Sequence, residues 1–205
     1  MEIIKYGDPT SKTILIQPVD DLSYLDNEIK AIRNLAGNDF SLITVKVNNW
    51  NDDLSPWEAP AVFGNNGFRG MARDTLHEIL ALADDPQKRY IIGGYSLAAL
   101  FSLWTAYQTD RFAAVAAASP SLWFPGYIEY ARDNDIKTKS VYLSLGDKEE
   151  KTKNPVMATV GDRIRQYSRL LKDTGTETIL EWNAGNHFQE PDIRTARAFA
   201  WAMNH

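Results

Sequence analysis

From Tyr90 to Leu100 the chain reads Tyr-Ile-Ile-Gly-Gly-Tyr-Ser-Leu-Ala-Ala-Leu, an apolar run of β character that passes at Ser96 into an apolar run of helical character. A join that tight leaves no room for bulky side chains beside the turn, and Gly94 and Ala98 supply small residues on either side. The spacing predicts a strand that ends in a sharp turn, with the Ser96 hydroxyl projecting from the top of a sheet. The helix that follows aims its first free N–H, that of Leu97, at the same space, where the helix dipole favours negative charge. This is the arrangement of a nucleophile elbow.

The rest of the chain supplies a sheet for it. Short runs rich in Ile, Val, Leu and Tyr alternate with longer stretches of helical period, the pattern of a largely parallel sheet covered by helices. The predicted strands are Glu2 to Tyr6, Thr13 to Gln17, Leu42 to Val47, Arg89 to Gly93, Ala114 to Ala118, Val141 to Leu145 and Thr178 to Trp182. Asp8-Pro9-Thr10-Ser11 is a turn between the first two, which makes the first strand an antiparallel edge piece. Predicted helices cover Leu25 to Ala36, Gly70 to Ala83, Leu97 to Gln108, Tyr127 to Asn134, Val156 to Asp173 and Asp192 to Met203. The stretch from Asn48 to Phe68 lacks either period and carries Trp50, Trp57 and Phe63, so it is expected to be a packed functional loop. The expected organisation is a single α/β domain over residues 1–205, with about seven mostly parallel strands and helices on both faces.

Composition excludes several functions. A formal net charge of −5 argues against nucleic-acid binding, which needs many Lys and Arg contacts to phosphates. The absence of cysteine removes disulfides, thiolate nucleophiles and thiolate metal ligands, and fits a reducing compartment. No apolar run is long enough to span a membrane, and Met1 to Gly7 lacks the basic and apolar segments of a signal peptide. A cytoplasmic protein is expected.

A serine hydroxyl is a poor nucleophile until a base removes its proton, and histidine is the usual base. Of the three histidines, His205 is the last residue and His77 lies in a helical pattern. His187 lies in Ala184-Gly185-Asn186-His187-Phe188, a loop at the carboxyl end of the last predicted strand, the edge where open α/β sheets bind ligands. His187 is therefore the expected base. The imidazole needs an acid to orient it, and the loop after the strand at 141–145 offers Asp147, Glu149 and Glu150. These carboxylates keep the chain order Ser, acid, His.

With the elbow at Gly94-Tyr95-Ser96-Leu97-Ala98, the acidic loop after Gly146 and Gly185-Asn186-His187-Phe188, the chain resembles the α/β-hydrolase superfamily. It is most similar to the esterase branch that includes esterase D and the enterochelin esterases, whose members often carry a Ser-Pro-Ser-aromatic loop like Ser119-Pro120-Ser121-Leu122-Trp123. The resemblance runs from about Thr13 to Ala202. It implies an acid at the third position after a glycine, which selects Glu149 from Gly146. It also implies a second oxyanion donor in the loop after the strand at 13–17. Pro18 has no N–H, so Val19 or Asp20 is the expected donor, with Val19 taken first. Two departures from the family pattern are Gln17-Pro18-Val19 in place of His-Gly, and Ala98 in place of glycine.

Trp50, Trp57 and Trp123 fall in loops near this edge, and Trp123 is the best candidate to touch substrate. Gly64, Gly67 and Gly70 read as turn residues, because no Gly-Lys-[Ser/Thr] follows them. No residues stand at metal-ligand spacing, and no cofactor is expected. The expected activity is hydrolysis of a small carboxylic ester by Ser96, His187 and Glu149, with N–H donors from Leu97 and Val19 or Asp20. Thioesterase, peptidase or acyltransferase chemistry on the same residues is the alternative, as is a non-catalytic binding module of the same fold. The sequence leaves the oligomeric state open.

Overall fold

Strands that are apolar along their whole length are stable only where both faces of a sheet are covered. In the computed structural model, which describes residues 1–205, such strands form the middle of a seven-stranded sheet. Its spatial order is β1 (Glu2–Gly7), β3 (Ser41–Lys46), β2 (Thr13–Val19), β6 (Arg89–Tyr95), β7 (Phe112–Ala118), β8 (Ser140–Gly146) and β9 (Glu177–Asn183). All neighbours are parallel except β1, which runs antiparallel to β3. A separate antiparallel pair, β4 (Glu58–Ala59) and β5 (Phe68–Arg69), lies in the segment between β3 and β6.

The period of two in the strands divides the core into two layers. Ile14, Ile16, Ile43, Val45, Ile92, Val115, Leu143 and Leu145 point to one face, where α3 (Ala72–Leu82), α4 (Leu97–Gln108), α5 (Tyr127–Asp133) and α6 (Val160–Asp173) pack. Their alternates Leu15, Leu42, Ile91, Ala114, Ala116 and Tyr142 meet α1 (Leu25–Ala36) and α7 (Pro191–Asn204) on the other. Every residue of α4 from Leu97 to Tyr107 is buried, as expected of a helix that is apolar on all sides. No helix is long and apolar enough to cross a membrane.

The order of strands places the elbow. From β2 the chain moves outward to β3, then returns past β2 to β6 and continues in the opposite direction to β9. The sheet therefore has its topological switch point between β2 and β6, where the loops leaving the two strands diverge and open a crevice. Ser96 follows β6 and Asp20 follows β2, so both stand at that crevice.

Three expectations need correction. β1 is the predicted antiparallel edge, but its partner is β3 and not β2, because the parallel β2–α1–β3 unit puts β3 between them. The stretch from Asn48 to Phe68 holds regular structure, the short helix α2 (Trp50–Leu54) and the strand β4, with β5 beginning at Phe68. Asn49 caps α2 by accepting the Asp52 N–H at 3.2 Å, and Asp53 Oδ2 accepts the N–H groups of Asn48 and Asn49 at 2.8 and 2.9 Å. The helix expected from Val156 begins at Val160. Asn154 Oδ1 takes the N–H groups of Val156 and Met157 and holds a turn there, with a 3₁₀ turn over Met157–Thr159 following it.

Two glycines make the elbow possible through close approach. A Cβ on Gly93 would stand 2.6 Å from the Ala116 carbonyl oxygen and 2.8 Å from Phe199 Cε1, and one on Gly94 would stand 2.8 Å from Ala98 Cβ. Gly93→Ala and Gly94→Ala are each expected to lower unfolding stability by about 1–3 kcal/mol in urea titrations, since neither neighbour can retreat without moving the strand or helix that carries it.

Candidate active site

At Ser96 the backbone takes φ 59° and ψ −120°, a conformation that L-residues rarely hold without support. Support comes from both sides: Ser96 N–H donates to the Ala118 carbonyl at 3.1 Å, and Ser96 C=O accepts from Ser121 N–H at 3.1 Å and Leu100 N–H at 3.1 Å. So held, Ser96 Oγ lies 3.0 Å from His187 Nε2 and 3.3 Å from Ser121 Oγ. His187 Nδ1 lies 2.7 Å from Glu149 Oε2. A neutral imidazole protonated at Nδ1 donates to the carboxylate and leaves Nε2 free to accept the Ser96 proton.

Glu149 is buried, which disfavours its charge, yet its carboxyl is held below the ordinary glutamate value. The bond and charge of His187 outweigh the burial, with help from Gly146 N–H at 2.8 Å and Ser119 Oγ at 2.8 Å, both donating to Oε1. Arg194, 1% exposed, donates from Nη1 to the same oxygen at 3.0 Å. Oε1 is thus saturated by three donors, and Oε2 is left for His187.

Arg194 also ties the site together. Its Nη1 donates to Tyr95 Oη at 3.1 Å and its Nη2 to the Ala184 carbonyl at 3.0 Å, while Tyr95 Oη donates to the His187 carbonyl at 2.7 Å. The two alternative acids are engaged elsewhere. Asp147 Oδ1 accepts Gly185 N–H at 2.8 Å, and Glu150 pairs with Arg165 at 3.2 Å. His77 is exposed on α3, and His205 stacks on Trp201 with centroids 4.1 Å apart.

Val19 and Asp20, the two expected sources of a second N–H, both stand at the end of β2 and border the cleft that holds Ser96. Val19 C=O accepts Val47 N–H at 3.0 Å, so it faces β3. In an extended strand the N–H and C=O of one residue point to the same side, and the next residue points to the other. Val19 N–H therefore also faces β3, away from β6, and Asp20 is the first residue past the strand. Leu97 N–H stands at the first turn of α4, as the elbow requires.

Ser96 and His187 open into a cleft of about 340 Å³ lined by the 17–21 loop, Tyr24, Trp50, Tyr95, Phe188 and the start of α7. Two buried groups, Glu28 and Gln17, also line it, with Gln17 Nε2 donating to Glu28 Oε2 at 3.3 Å. Burial pushes the Glu28 carboxyl up to about 8, against the Gln17 hydrogen bond and with the Asp192 charge adding to the rise. Trp123 does not line this cleft. It sits in an aromatic cluster with Phe63 and Phe68 and borders a smaller hollow of about 200 Å³ on the Glu149 side of His187. Trp57 is structural: its Nε1–H donates to the Pro125 carbonyl at 2.9 Å and its ring packs on Phe124 and Tyr130. Trp50 is the tryptophan that reaches Ser96's cleft.

Sequence reasoning did not find Arg194, Tyr95 or the bond from Ser119 to Glu149. Arg194 left a readable signal, since it lies four and eight residues before Ala198 and Ala202 on the apolar stripe of α7. A charge on that stripe must find a buried partner.

No protein-family model matches the chain. The uncharacterized protein YbbA of Bacillus subtilis (strain 168) is 25% identical over 150 residues, 65% of this chain and 59% of that protein, so the chain spans about three-fifths of the curated relative it matches. Among solved structures, an IroE-like serine hydrolase from Shewanella oneidensis is similar at a TM-score of 0.76 and 16% identity, covering 97% of this chain and 74% of that one. The siderophore hydrolase EstA from Aspergillus nidulans gives 0.72 and 16%, covering 97% and 85%. A Bacillus cereus carboxylesterase gives 0.64 and 12%, covering 100% and 94%. The likeness is one of architecture: this chain has the α/β-hydrolase fold.

Two stability predictions follow from the buried charges. Glu149→Ala leaves the buried Arg194 guanidinium without its counter-charge, facing only the neutral oxygens of Tyr95, Ser119 and Ala184, and is expected to cost about 3–5 kcal/mol in chemical unfolding. Glu28 behaves oppositely to a paired carboxylate. Its native form keeps a proton that the unfolded chain releases, so its contribution to stability declines as pH rises from the ordinary carboxylate range to about 8. Glu28→Gln is expected to raise the melting temperature relative to the parent at pH 8.5 and to change it little at pH 4.5.

Proposed function

We propose that the chain is a serine hydrolase that cleaves a small carboxylic ester through an acyl-Ser96 intermediate. The observation that carries this reading is the unbroken relay from Ser96 Oγ to His187 Nε2 at 3.0 Å and from His187 Nδ1 to Glu149 Oε2 at 2.7 Å, at the mouth of a cleft. The names of the similar structures, which include a serine hydrolase, a siderophore hydrolase and a carboxylesterase, support the same chemistry.

In this reading Ser96 Oγ attacks the ester carbonyl as His187 Nε2 takes its proton. The imidazolium that forms is stabilised by Glu149, whose charge is already secured by Gly146, Ser119 and Arg194. The carbonyl oxygen, now negative, receives the N–H groups of Leu97 and Asp20. A pair of fixed donors there lowers the barrier without reorganisation, and losing one typically costs about 100- to 1000-fold in rate. Collapse of the tetrahedral intermediate expels the alcohol, protonated by His187. Water activated by the same imidazole then releases the acid and restores Ser96. The cleft lies near the lower end of the usual ligand-site range of about 300–1000 Å³, which favours a small ester over a long-chain lipid.

Ser96→Ala is expected to abolish labelling by a fluorophosphonate probe and to lower turnover of activated short-chain esters by at least about 10⁴-fold. Glu149→Gln is expected to lower kcat by at least about 100-fold while Ser96 remains labelled slowly. Labelling of Ser96→Ala at the parental rate would overturn the proposal.

A further inference from the structure

Ser119-Pro120-Ser121 holds the relay at both of its ends. Ser119 Oγ donates to Glu149 Oε1 at 2.8 Å, and Ser121 N–H donates to the Ser96 carbonyl at 3.1 Å. The segment is itself fixed by Ser119 N–H on the Ser144 carbonyl at 3.0 Å and by the ring of Pro120. Ser121 carries one group more than this hold requires. Its hydroxyl lies 3.3 Å from Ser96 Oγ and has no other hydrogen-bond partner. The residue is 1% exposed and borders neither hollow beside His187. An alanine there would keep the N–H bond without burying a hydroxyl, so the hydroxyl itself needs a reason.

The direction of its bond is set by the relay. His187 Nδ1 carries a proton toward Glu149, so Nε2 takes the proton of Ser96, and Ser96 Oγ can meet Ser121 only as an acceptor. The Ser121 hydroxyl is therefore the donor. Its strength changes through acyl transfer because the accepting oxygen changes. In free Ser96 that oxygen is a hydroxyl, a good acceptor. In either tetrahedral intermediate it is bonded to a saturated carbon that bears the oxyanion, and it accepts well again. In the acyl-enzyme its lone pair is delocalised into the carbonyl, which makes the bridging oxygen of an ester a poor acceptor.

We infer that Ser121 is a catalytic residue that speeds deacylation by donating to Ser96 Oγ. The inference rests on the hydrolase reading. Acylation starts and crosses its barrier with the bond made, so the bond does little for that step. The acyl-enzyme leaves a buried donor without a good partner, and the attack of water restores the acceptor. The bond is thus stronger in the transition state of deacylation than in the state before it. As the water oxygen bonds to the acyl carbon, its proton passes to His187 Nε2. That proton then goes to Ser96 Oγ as the bond from Oγ to the acyl carbon breaks, and Ser121 keeps its own proton throughout. Catalytic hydrogen bonds are commonly long in a resting site and tighten in the reacting one, which accommodates the 3.3 Å separation.

4-Nitrophenyl acetate separates the two half-reactions. With enzyme in excess, the first release of nitrophenol reads acylation alone. With substrate in excess, kcat divided by the fraction of acetyl-Ser96, measured by intact-mass spectrometry after acid quench, gives deacylation. Ser121→Ala is expected to slow deacylation about tenfold, the weight of one unmade hydrogen bond, with acylation changed by no more than about threefold. Ser121→Cys, close in volume and a weaker donor, is expected to slow deacylation by a smaller factor and carries the test should Ser121→Ala fail to fold. Equal slowing of both half-reactions would reduce Ser121 to a structural support for Ser96. That result, or an unchanged deacylation rate in a folded variant, would overturn the inference. A wild type that forms no acetyl-Ser96 would overturn the hydrolase reading and this inference with it. Wild-type turnover with the same balance of half-reactions in the variants would defeat the role of Ser121 alone.

Discussion

The buried ion pair between Glu149 and Arg194 is the interaction on which the site depends. Both side chains are almost wholly removed from water, a cost offset by their mutual attraction and by hydrogen bonds to their neighbours, with Arg194 Nε alone left without a partner. Those neighbours come from four separate strand ends: Tyr95 from β6, Ser119 after β7, Gly146 from β8 and Ala184 after β9. α7 delivers Arg194 to the point where they converge. The pair therefore does for this edge of the sheet what the apolar core does for its interior, and it fixes which oxygen of Glu149 meets His187.

Strain in the backbone gathers around the same point. The non-glycine residues with positive φ are Ser96 at 59°, Ser119 at 46° and Glu190 at 50°. Ser96 bears the candidate nucleophile, Ser119 bonds Glu149, and Glu190 turns the chain from the His187 loop into α7. Each such residue costs about 1–3 kcal/mol, which only a well-packed surrounding can hold. The fully buried α4 and the alanine-rich β7 provide that surrounding, since small side chains let helix and strand backbones approach the elbow closely.

Much of this was legible in the sequence because the elbow is a local demand. Gly94 and Ala98 are small where side chains would collide, and the two are near neighbours in the chain. Ser96, read from its motif, His187, reached by elimination, and Glu149, which the family resemblance implied among three carboxylates, are the residues the structure brings within hydrogen-bond distance. Which of Val19 and Asp20 could point an N–H at Ser96 was not legible, because it depends on which side of the strand faces β3, a matter of pairing. Nor was the choice between Trp50 and Trp123, since both lie in loops and only the tertiary packing decides which one borders Ser96. The Asn48 to Phe68 stretch concealed a helix because α2 spans only Trp50–Leu54, too short to display a period, although Asn49, Asp52 and Asp53 are the residues of a capped start.

By itself, the sequence determined the parallel sheet, its two covering layers, the turn at Ser96 and the order of the three polar residues, because periodicity and small-residue spacing are local properties that survive without a fold. The tertiary structure decided what those residues touch. It assigned Arg194 to Glu149, turned Val19 toward β3, and buried Glu28 and Gln17 in the wall of the cleft. These outcomes depend on distances between segments far apart in the chain, where the energy of a polar group is set by what surrounds it and not by its neighbours in sequence.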